Sequence, residues 1–346
     1  PARAPESLPS FPPHIFFIYF SPSVRSRQWR GAGGAPPMPR RAGGAARAGG
    51  AAGADAPGAW LEARYGAVEA RTCVGSSGWS SAYRYDAGGR RFFVKTSREG
   101  GAEAMFRGEA LGLGAMAAAA EGPRVPEVFY AGTAGSGGAD GAFIVMEHLE
   151  FAPGGVDQEE LGRRLARMHL AEPSAPEAAA GRFGFPVDNT IGGTPQPNGW
   201  MDDWADFFWE RRLGYQLRLA GDTTLSRLGE KLREQCFDSF FEGMDIRPCI
   251  LHGDLWSGNI AAAGPGEPAV FDPASYFGHS EAEFGMSWCA GFSGAFWGAY
   301  RELVPQADGF DERADLYRLY HYLNHYNLFG SGYYGQCESI LRKYVQ

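Results

Sequence analysis

No stretch of this chain is long and apolar enough to form a transmembrane helix. The longest apolar run near the N-terminus, residues 15–20, falls far short of the roughly 20 residues that cross a bilayer. Basic charge is in short supply: 32 Lys and Arg face 40 Asp and Glu, a net −8. That balance disfavours a nucleic-acid partner, because affinity for a phosphate backbone comes from clustered Lys and Arg. Cysteine is scarce as well. Cys73, Cys236, Cys249, Cys289 and Cys337 are scattered, odd in number and without CxxC spacing. This disfavours a disulfide framework or a zinc knuckle and fits a reducing compartment.

What is present is a globular composition, 44% hydrophobic and 14% aromatic over 346 residues, enough for about two domains or one two-lobed unit. Residues 1–58 stand apart: rich in Arg, Ala, Gly and Pro, they show no sustained period of 3.6 or 2 and read as disordered. Residues 1–54 hold seven arginines against one acid, a net +6, leaving −14 for the rest. Two origins compete for this segment. An acid-poor, Arg-bearing stretch resembles a transit peptide to a chloroplast or another organelle, while an over-extended gene prediction, with Met38 as the first start, leaves the protein cytoplasmic.

From Trp60 onward the pattern is that of folded chain. Two β-type runs flank the cluster Gly75, Ser76, Ser77, Gly78, and a turn at residues 86–89 leads into a strand, residues 91–95. Residues 103–120 are full of helix formers and stop at Gly122-Pro123. Residues 125–130 and 142–146 extend the sheet. After His148 helices dominate, with apolar stripes at Leu161, Leu165 and Met168, at Trp204, Phe207, Phe208 and Leu213, and at Leu316, Leu319, Tyr320 and Leu323. A strand-rich island at residues 249–272, read as a buried hairpin, interrupts them. The plan is α+β: a nucleotide-binding lobe over residues 59–149, with a small antiparallel sheet and one main helix, a larger helical lobe over residues 150–346, and a cleft between them.

The most specific text is His252-Gly253-Asp254-Leu255-Trp256-Ser257-Gly258-Asn259, followed by Phe271-Asp272-Pro273. Phosphoryl transfer from ATP needs a carboxylate to take the attacking hydroxyl's proton, and oxygen ligands to hold Mg2+ on the phosphates. Asp254, Asn259 five residues on, and Asp272 after a short excursion supply that set with the D-x-x-x-x-N spacing of a kinase catalytic loop. Asp254 alone reads as an ordinary turn residue; the three together do not.

Upstream residues test the idea independently. A kinase-like site needs a strand lysine on the α- and β-phosphates and a helix glutamate to fix it. Lys95 closes its strand, and Glu109 follows on the next helix. The Gly75 to Gly78 cluster sits where backbone N–H groups cover phosphates. Glu147, His148 and Leu149 fall where the lobes join, offering the Glu147 carbonyl and the Leu149 amide to adenine.

These residues resemble the fructosamine/ketosamine-3-kinase family, within the aminoglycoside phosphotransferase and choline kinase branch of the protein-kinase-like fold. The likeness runs from about Ala59 to the C-terminus and rests on residues 252–259, 271–281, 188–198 and 322–330. It implies ATP-dependent phosphorylation of the sugar 3-hydroxyl of ketosamines, on glycated proteins or small amines, giving an unstable product and hence deglycation. Carried across, Asp254 is the base, Asn259 and Asp272 are the metal ligands, Lys95 and Glu109 are the phosphate pair, and Glu147, His148 and Leu149 form the hinge. Glu283 takes the place of an acid that steadies the catalytic loop, and His252 is architectural.

The family's glycine loop often continues into Cys or Ser, whereas here it reads Gly75-Ser76-Ser77-Gly78-Trp79, with Cys73 on the preceding strand. Redox control by a loop thiol is therefore not expected. A sugar calls for an aromatic platform, and Trp256 is the candidate. Asn189, Gln196, Asp202 and Asp203 are candidates to read hydroxyls, although the two aspartates serve better as helix N-caps. His321 and His325, at i and i+4, lack the third and fourth ligands that zinc needs and read as packing. Two rivals remain: a kinase for another small amine or sugar alcohol, and a kinase-like binding protein without turnover.

Overall fold

The structure, a computed structural model, describes residues 55–133 and 141–345. The expected N-terminal segment thus lies outside the described residues up to residue 54. Residues 55–58 depart from that expectation. Asp55 caps helix α1 (Ala56–Tyr65), its carboxylate accepting from the Gly58 amide at 3.3 Å and from the Tyr85 hydroxyl at 2.7 Å. Asp followed by Ala and Pro has loop composition, yet it is also the usual chemistry of a helix start.

An antiparallel sheet follows: β1 (Val68–Ser76), β2 (Ser81–Ala87) and β3 (Arg90–Ser97), then helix α2 (Ala102–Ala117), then β4 (Val128–Thr133) and β5 (Ala142–Glu147), in the order β1-β2-β3-β5-β4. Strand β3 shows how the two faces are used. Phe92 and Val94 join Leu61, Tyr85, Phe143 and Val145 in a cluster under α1, while Phe93 joins Ile144 and Met146 in the main core with Phe106 of α2. Because strand side chains alternate, Lys95 falls on the same face as Phe93, the α2 side.

Helix α2 buries Phe106, Leu113 and Met116, and Glu109 lies on that stripe. Two glycines bring the helix down onto the rest of the molecule. A Cβ on Gly108 would stand 2.5 Å from Asn189 Cβ, and one on Gly112 would stand 2.8 Å from Ser275 Oγ. No side chain fits at either position, so the helix backbone itself is the contact surface.

Beyond β5 the chain is largely helical. Helices α3 (Gln158–Leu170) and α4 (Pro176–Ala179) lead to a hairpin, β6 (Asn189–Ile191) and β7 (Thr194–Gln196). Helix α5 (Trp204–Phe208) runs through a π-turn at Trp209–Leu213 into α6 (Gly214–Ala220), followed by α7 (Thr223–Gln235). Four short strands come next: β8 (Cys249–Leu251), β9 (Ile260–Ala262), β10 (Pro268–Val270) and β11 (Tyr276–Gly278). A 3₁₀ stretch, Ser280–Met286, then α8 (Ser287–Ala290), α9 (Gly294–Leu303), α10 (Phe310–Phe329) and α11 (Tyr334–Tyr344) complete the fold. The three expected apolar stripes are all buried in one core. The architecture is α+β and kinase-like, a small sheet lobe on a large helical one.

The island at residues 249–272 is not one hairpin. β9 pairs with β10, but β8 pairs with β11, Leu251 opposite Tyr276. Three-residue strands are too short to show alternation, so β11 left no signal in the sequence.

The glycine seat of α2 is testable by a matched pair. Gly112→Ala is expected to destabilise the protein by about 1–3 kcal/mol through overpacking against Ser275. Gly114→Ala, on the same helix with nothing within 4 Å, is expected to stabilise it by up to roughly 1 kcal/mol. Urea denaturation of the two variants checks both signs.

Candidate active site

A cavity of ≈ 610 Å³ lies between the sheet lobe and the helical lobe. Ser76, Ser77, Gly78, Lys95 and Glu109 line it from one side, and Asn189, Asp254, Trp256, Asn259 and Asp272 from the other. Gly75, Glu147, His148 and Leu149 are not among its lining residues.

Lys95 is 5% exposed. Its Nζ donates to Glu109 Oε1 at 2.7 Å and to Asp272 Oδ1, so one ammonium joins two carboxylates from opposite lobes. Burial on its own would lower the Lys95 pKa, but the charges of Asp272 and Glu109 overcome it and hold it above the ordinary lysine value. Glu109 moves up, first through burial and also through the nearby Asp272 charge, with Lys95 opposing.

Asp272 is the one non-glycine residue in the left-handed region among the described residues, at φ 58. Such strain persists only where surrounding contacts over-determine it. Those contacts are present: His252 Nε2 donates to the Phe271 carbonyl at 2.8 Å, and the Phe271 amide donates to the Asn259 carbonyl at 3.2 Å. With Nε2 donating, His252 Nδ1 carries a lone pair and accepts from the Asp254 amide at 3.3 Å. Burial lowers the His252 pKa, so the ring is neutral and acts as a pin between the two loops, the architectural part expected of it.

Asn259 Nδ2 donates to the Asp254 carbonyl at 2.9 Å and approaches Asp254 Oδ2 at 3.4 Å, leaving its Oδ1 as the atom suited to a cation. Burial, and then the Asp272 charge, push the Asp254 carboxyl up to about 7, with the Asn259 hydrogen bond opposing. A carboxylate poised near neutrality is suited to accepting a proton. Beneath the loop lies Glu283, 1% exposed: Oε2 accepts from the His252 amide at 2.7 Å and Oε1 from the Gly253 amide at 2.9 Å. Burial would raise Glu283, yet its hydrogen bonds to His169 and the Gly253 amide bring it below the usual carboxylate value.

The turn between β1 and β2 differs from a phosphate cradle of free amides. Gly75 and Ser76 belong to the ladder, opposite Ala82 and Ser81. The Ser77 amide donates to the Ser80 carbonyl at 2.8 Å, and Ser77 Oγ accepts from the Trp79 and Ser80 amides at 3.4 and 3.1 Å. A serine at the first position of a tight turn captures these donors locally. Cys73, on β1, is exposed and free, as the other four cysteines are free.

The Glu147 amide donates to the Glu127 carbonyl at 2.8 Å and its carboxylate pairs with Arg124, while Leu149 is buried.

On the acceptor side, Trp256 is half-buried and its indole folds over its own loop: a Cβ on Gly258 would stand 2.3 Å from the ring. Asn189 and Gln196 do not present free amides for hydroxyls. Asn189 Nδ2 donates to the Ser275 carbonyl at 2.8 Å, and its Oδ1 accepts from Gln196 Nε2 and Asn198 Nδ2. Gln196 Nε2 also reaches the Ala274 carbonyl at 3.0 Å. These amides tie the β6–β7 hairpin to the segment after Asp272. Asp203 caps α5, accepting from the Asp206 amide at 2.9 Å, and Asp202 pairs with Arg182 at the surface.

Arg212, which the sequence did not flag, anchors this network. It is fully buried by the π-turn, donates to Asn198 Oδ1 and the Pro197 carbonyl at 2.7 Å each, and lies 4.0 Å over the Tyr276 ring. A surface-type residue followed by no acid partner gave no cue. His321 and His325 are pushed down to about 3 and about 4 by burial among aromatic rings, so both are neutral.

Removing Glu283 tests the loop support. Glu283→Ala is expected to leave the His252 and Gly253 amides unpaired and to destabilise the protein by on the order of 3 kcal/mol. Chemical denaturation reads this, and a variant as stable as the parent would remove the supporting part given to Glu283.

Residues 60–346 match the family model for fructosamine kinase. Protein-ribulosamine 3-kinase, chloroplastic, from Arabidopsis thaliana is 50% identical over 271 residues, covering 77% of this chain and 79% of the relative. Ketosamine-3-kinase from Mus musculus is 35% identical over 286 residues, 76% of this chain and 91% of the relative. Among solved structures, a candidate fructosamine-3-kinase from Thermobifida fusca superposes with a TM-score of 0.70 at 30% identity, over 84% of this chain and 98% of that one. An aminoglycoside phosphotransferase shares the fold at a TM-score of 0.54 and 20% identity, over 83% of this chain and 98% of that one. With the family match running from Trp60 across both walls of the cleft, this chain belongs to the fructosamine kinase family.

Proposed function

We propose that the protein phosphorylates the sugar 3-hydroxyl of ketosamines, ribulosamine or fructosamine adducts on protein lysines or small amines, with ATP as donor. The phosphorylated adduct is unstable and breaks down, so the reaction repairs glycated amines. The observation that carries this reading is the convergence of Lys95, Glu109, Asp254, Asn259 and Asp272 on one cavity. The names of the relatives, ribulosamine and ketosamine 3-kinases, support the acceptor.

In this reading Lys95, oriented by Glu109, takes the α- and β-phosphates of ATP. Asn259 and Asp272 would hold Mg2+. The donors are hard oxygens, and the Asp272 charge raises the Asp254 carboxyl, a repulsion that a divalent cation relieves. Among the described residues no three His, Cys, Asp or Glu side chains cluster, which suits an ion ligated mainly by phosphates and water. Held there, the ion would supply positive charge to offset that of the phosphates. Asp254 accepts the proton of the attacking hydroxyl as its oxygen bonds to the γ-phosphorus and the bond to the β–γ bridging oxygen breaks, releasing ADP. The cationic ketosamine nitrogen suits the acidic cleft, and Trp256 offers an apolar face to the sugar. The plant relatives are named chloroplastic, and the acid-poor, Arg-bearing residues 1–54 support the same destination here.

A panel of protein-bound ribulosamine, fructosamine, choline and an aminoglycoside, each with ATP and Mg2+, tests the acceptor. Phosphate transfer to a ketosamine is expected; transfer confined to choline or the aminoglycoside would overturn the reading. Asp254→Asn is expected to lower kcat by about 10²-fold or more while leaving nucleotide affinity within about twofold. A variant turning over near the parent rate would refute the role of Asp254.

A further inference from the structure

Trp79 is a large apolar residue at the tip of a Gly- and Ser-rich turn, where solvent exposure is the ordinary outcome. It is instead half-buried and lines the cavity. Its ring lies against the turn of the β6–β7 hairpin in the opposite lobe. A Cβ on Gly192 would stand 3.4 Å from its Cη2, and one on Gly193 would stand 3.2 Å from its Cε3. Leu328 of α10 borders the same seat, 3.2 Å from that Gly192 position. Gly192 has φ +57 and Gly193 has no room to spare, so the hairpin presents bare backbone to the indole.

Both partners of this contact are held in place. On the small lobe, Ser77 Oγ accepts from the Trp79 and Ser80 amides, which makes the turn a closed knuckle that projects the indole. On the large lobe, the hairpin is tied through Asn189 and Gln196 to the Ser275 and Ala274 carbonyls, just beyond Asp272. The indole therefore connects the β1–β2 turn to the segment that carries a candidate metal ligand.

We propose that Trp79 is an acceptor-positioning latch: seating its indole on Gly192 and Gly193 completes the wall of the acceptor subsite, so that closure of the β1–β2 turn and assembly of that subsite are one event. The ligand chemistry it meets is a sugar C–H face beside a cationic amine, both of which pack favourably on an indole. The assignment of acceptor rests on the proposed ketosamine kinase activity; the contact itself does not.

Two readouts separate the latch from that activity. Without substrate, hydrogen exchange of the Trp79→Ala protein is expected to speed up at residues 190–194 by about tenfold or more. Unchanged exchange there would overturn the latch, whatever the enzyme phosphorylates. With a ketosamine that the parent phosphorylates, Trp79→Ala is expected to raise acceptor KM by about tenfold while nucleotide affinity stays within about twofold, and Trp79→Phe is expected to restore most of the loss. Gly193→Val, which unseats the ring from the other side, is expected to reproduce the defect and to add nothing in the Trp79→Ala background. An unchanged acceptor KM, equal losses for acceptor and nucleotide, or additive effects of the two substitutions would each overturn the proposal.

Discussion

The structure depends on one buried ammonium shared between two lobes. Lys95 lies on a strand of the small sheet, Glu109 on the helix beside it, and Asp272 in the helical body, and the lysine touches both acids. Placing three charges in a poorly solvated cleft is expensive unless each finds its counter-charge. One cation for two carboxylates leaves an excess of negative charge facing the cavity, and the Asp272 charge adds to burial in raising Asp254. A cleft with that excess is electrostatically suited to a cation.

Holding such a constellation takes a second layer of polar groups whose bonds are nearly all internal. Glu283 receives two amides of the loop that bears Asp254, His252 bridges that loop to the Asp272 segment, and Arg212 bonds Asn198, which in turn donates to Asn189 of the hairpin. Buried networks of this kind specify one arrangement because a half-satisfied alternative is worse than none. The left-handed backbone at Asp272 is sustained by that surrounding order.

The five charged and amide groups at the cleft were legible because their order and spacing carry the signal: a lysine ending a strand, a glutamate on the next helix, then an aspartate, an asparagine and an aspartate at fixed intervals. The α+β plan was legible for similar reasons, since the apolar stripes on α3, α5 and α10 repeat at helical spacing. What escaped depends on partners distant in sequence. Nothing local distinguishes an asparagine that reads a hydroxyl from Asn189, whose bonds are taken by Ser275, Gln196 and Asn198. Gly108 and Gly112 are accounted for by neighbours distant in sequence, Asn189 and Ser275, which no local pattern reveals. Ser77 was grouped with the glycines as a loop former, whereas its hydroxyl accepts from the Trp79 and Ser80 amides and closes the turn on itself. Glu147, His148 and Leu149 fall at the junction of the lobes by position alone, and position does not say which groups face the cavity.

The close seating of α2 has a further consequence. In signalling kinases the corresponding helix swings outward to break the lysine–glutamate pair, and that swing is the on–off control. Here the helix backbone rests directly on Asn189 and Ser275, so withdrawing Glu109 means parting two surfaces that touch without any side chain on the helix's side. Keeping Glu109 within reach of Lys95 is thereby built into the seating of this helix on the large lobe.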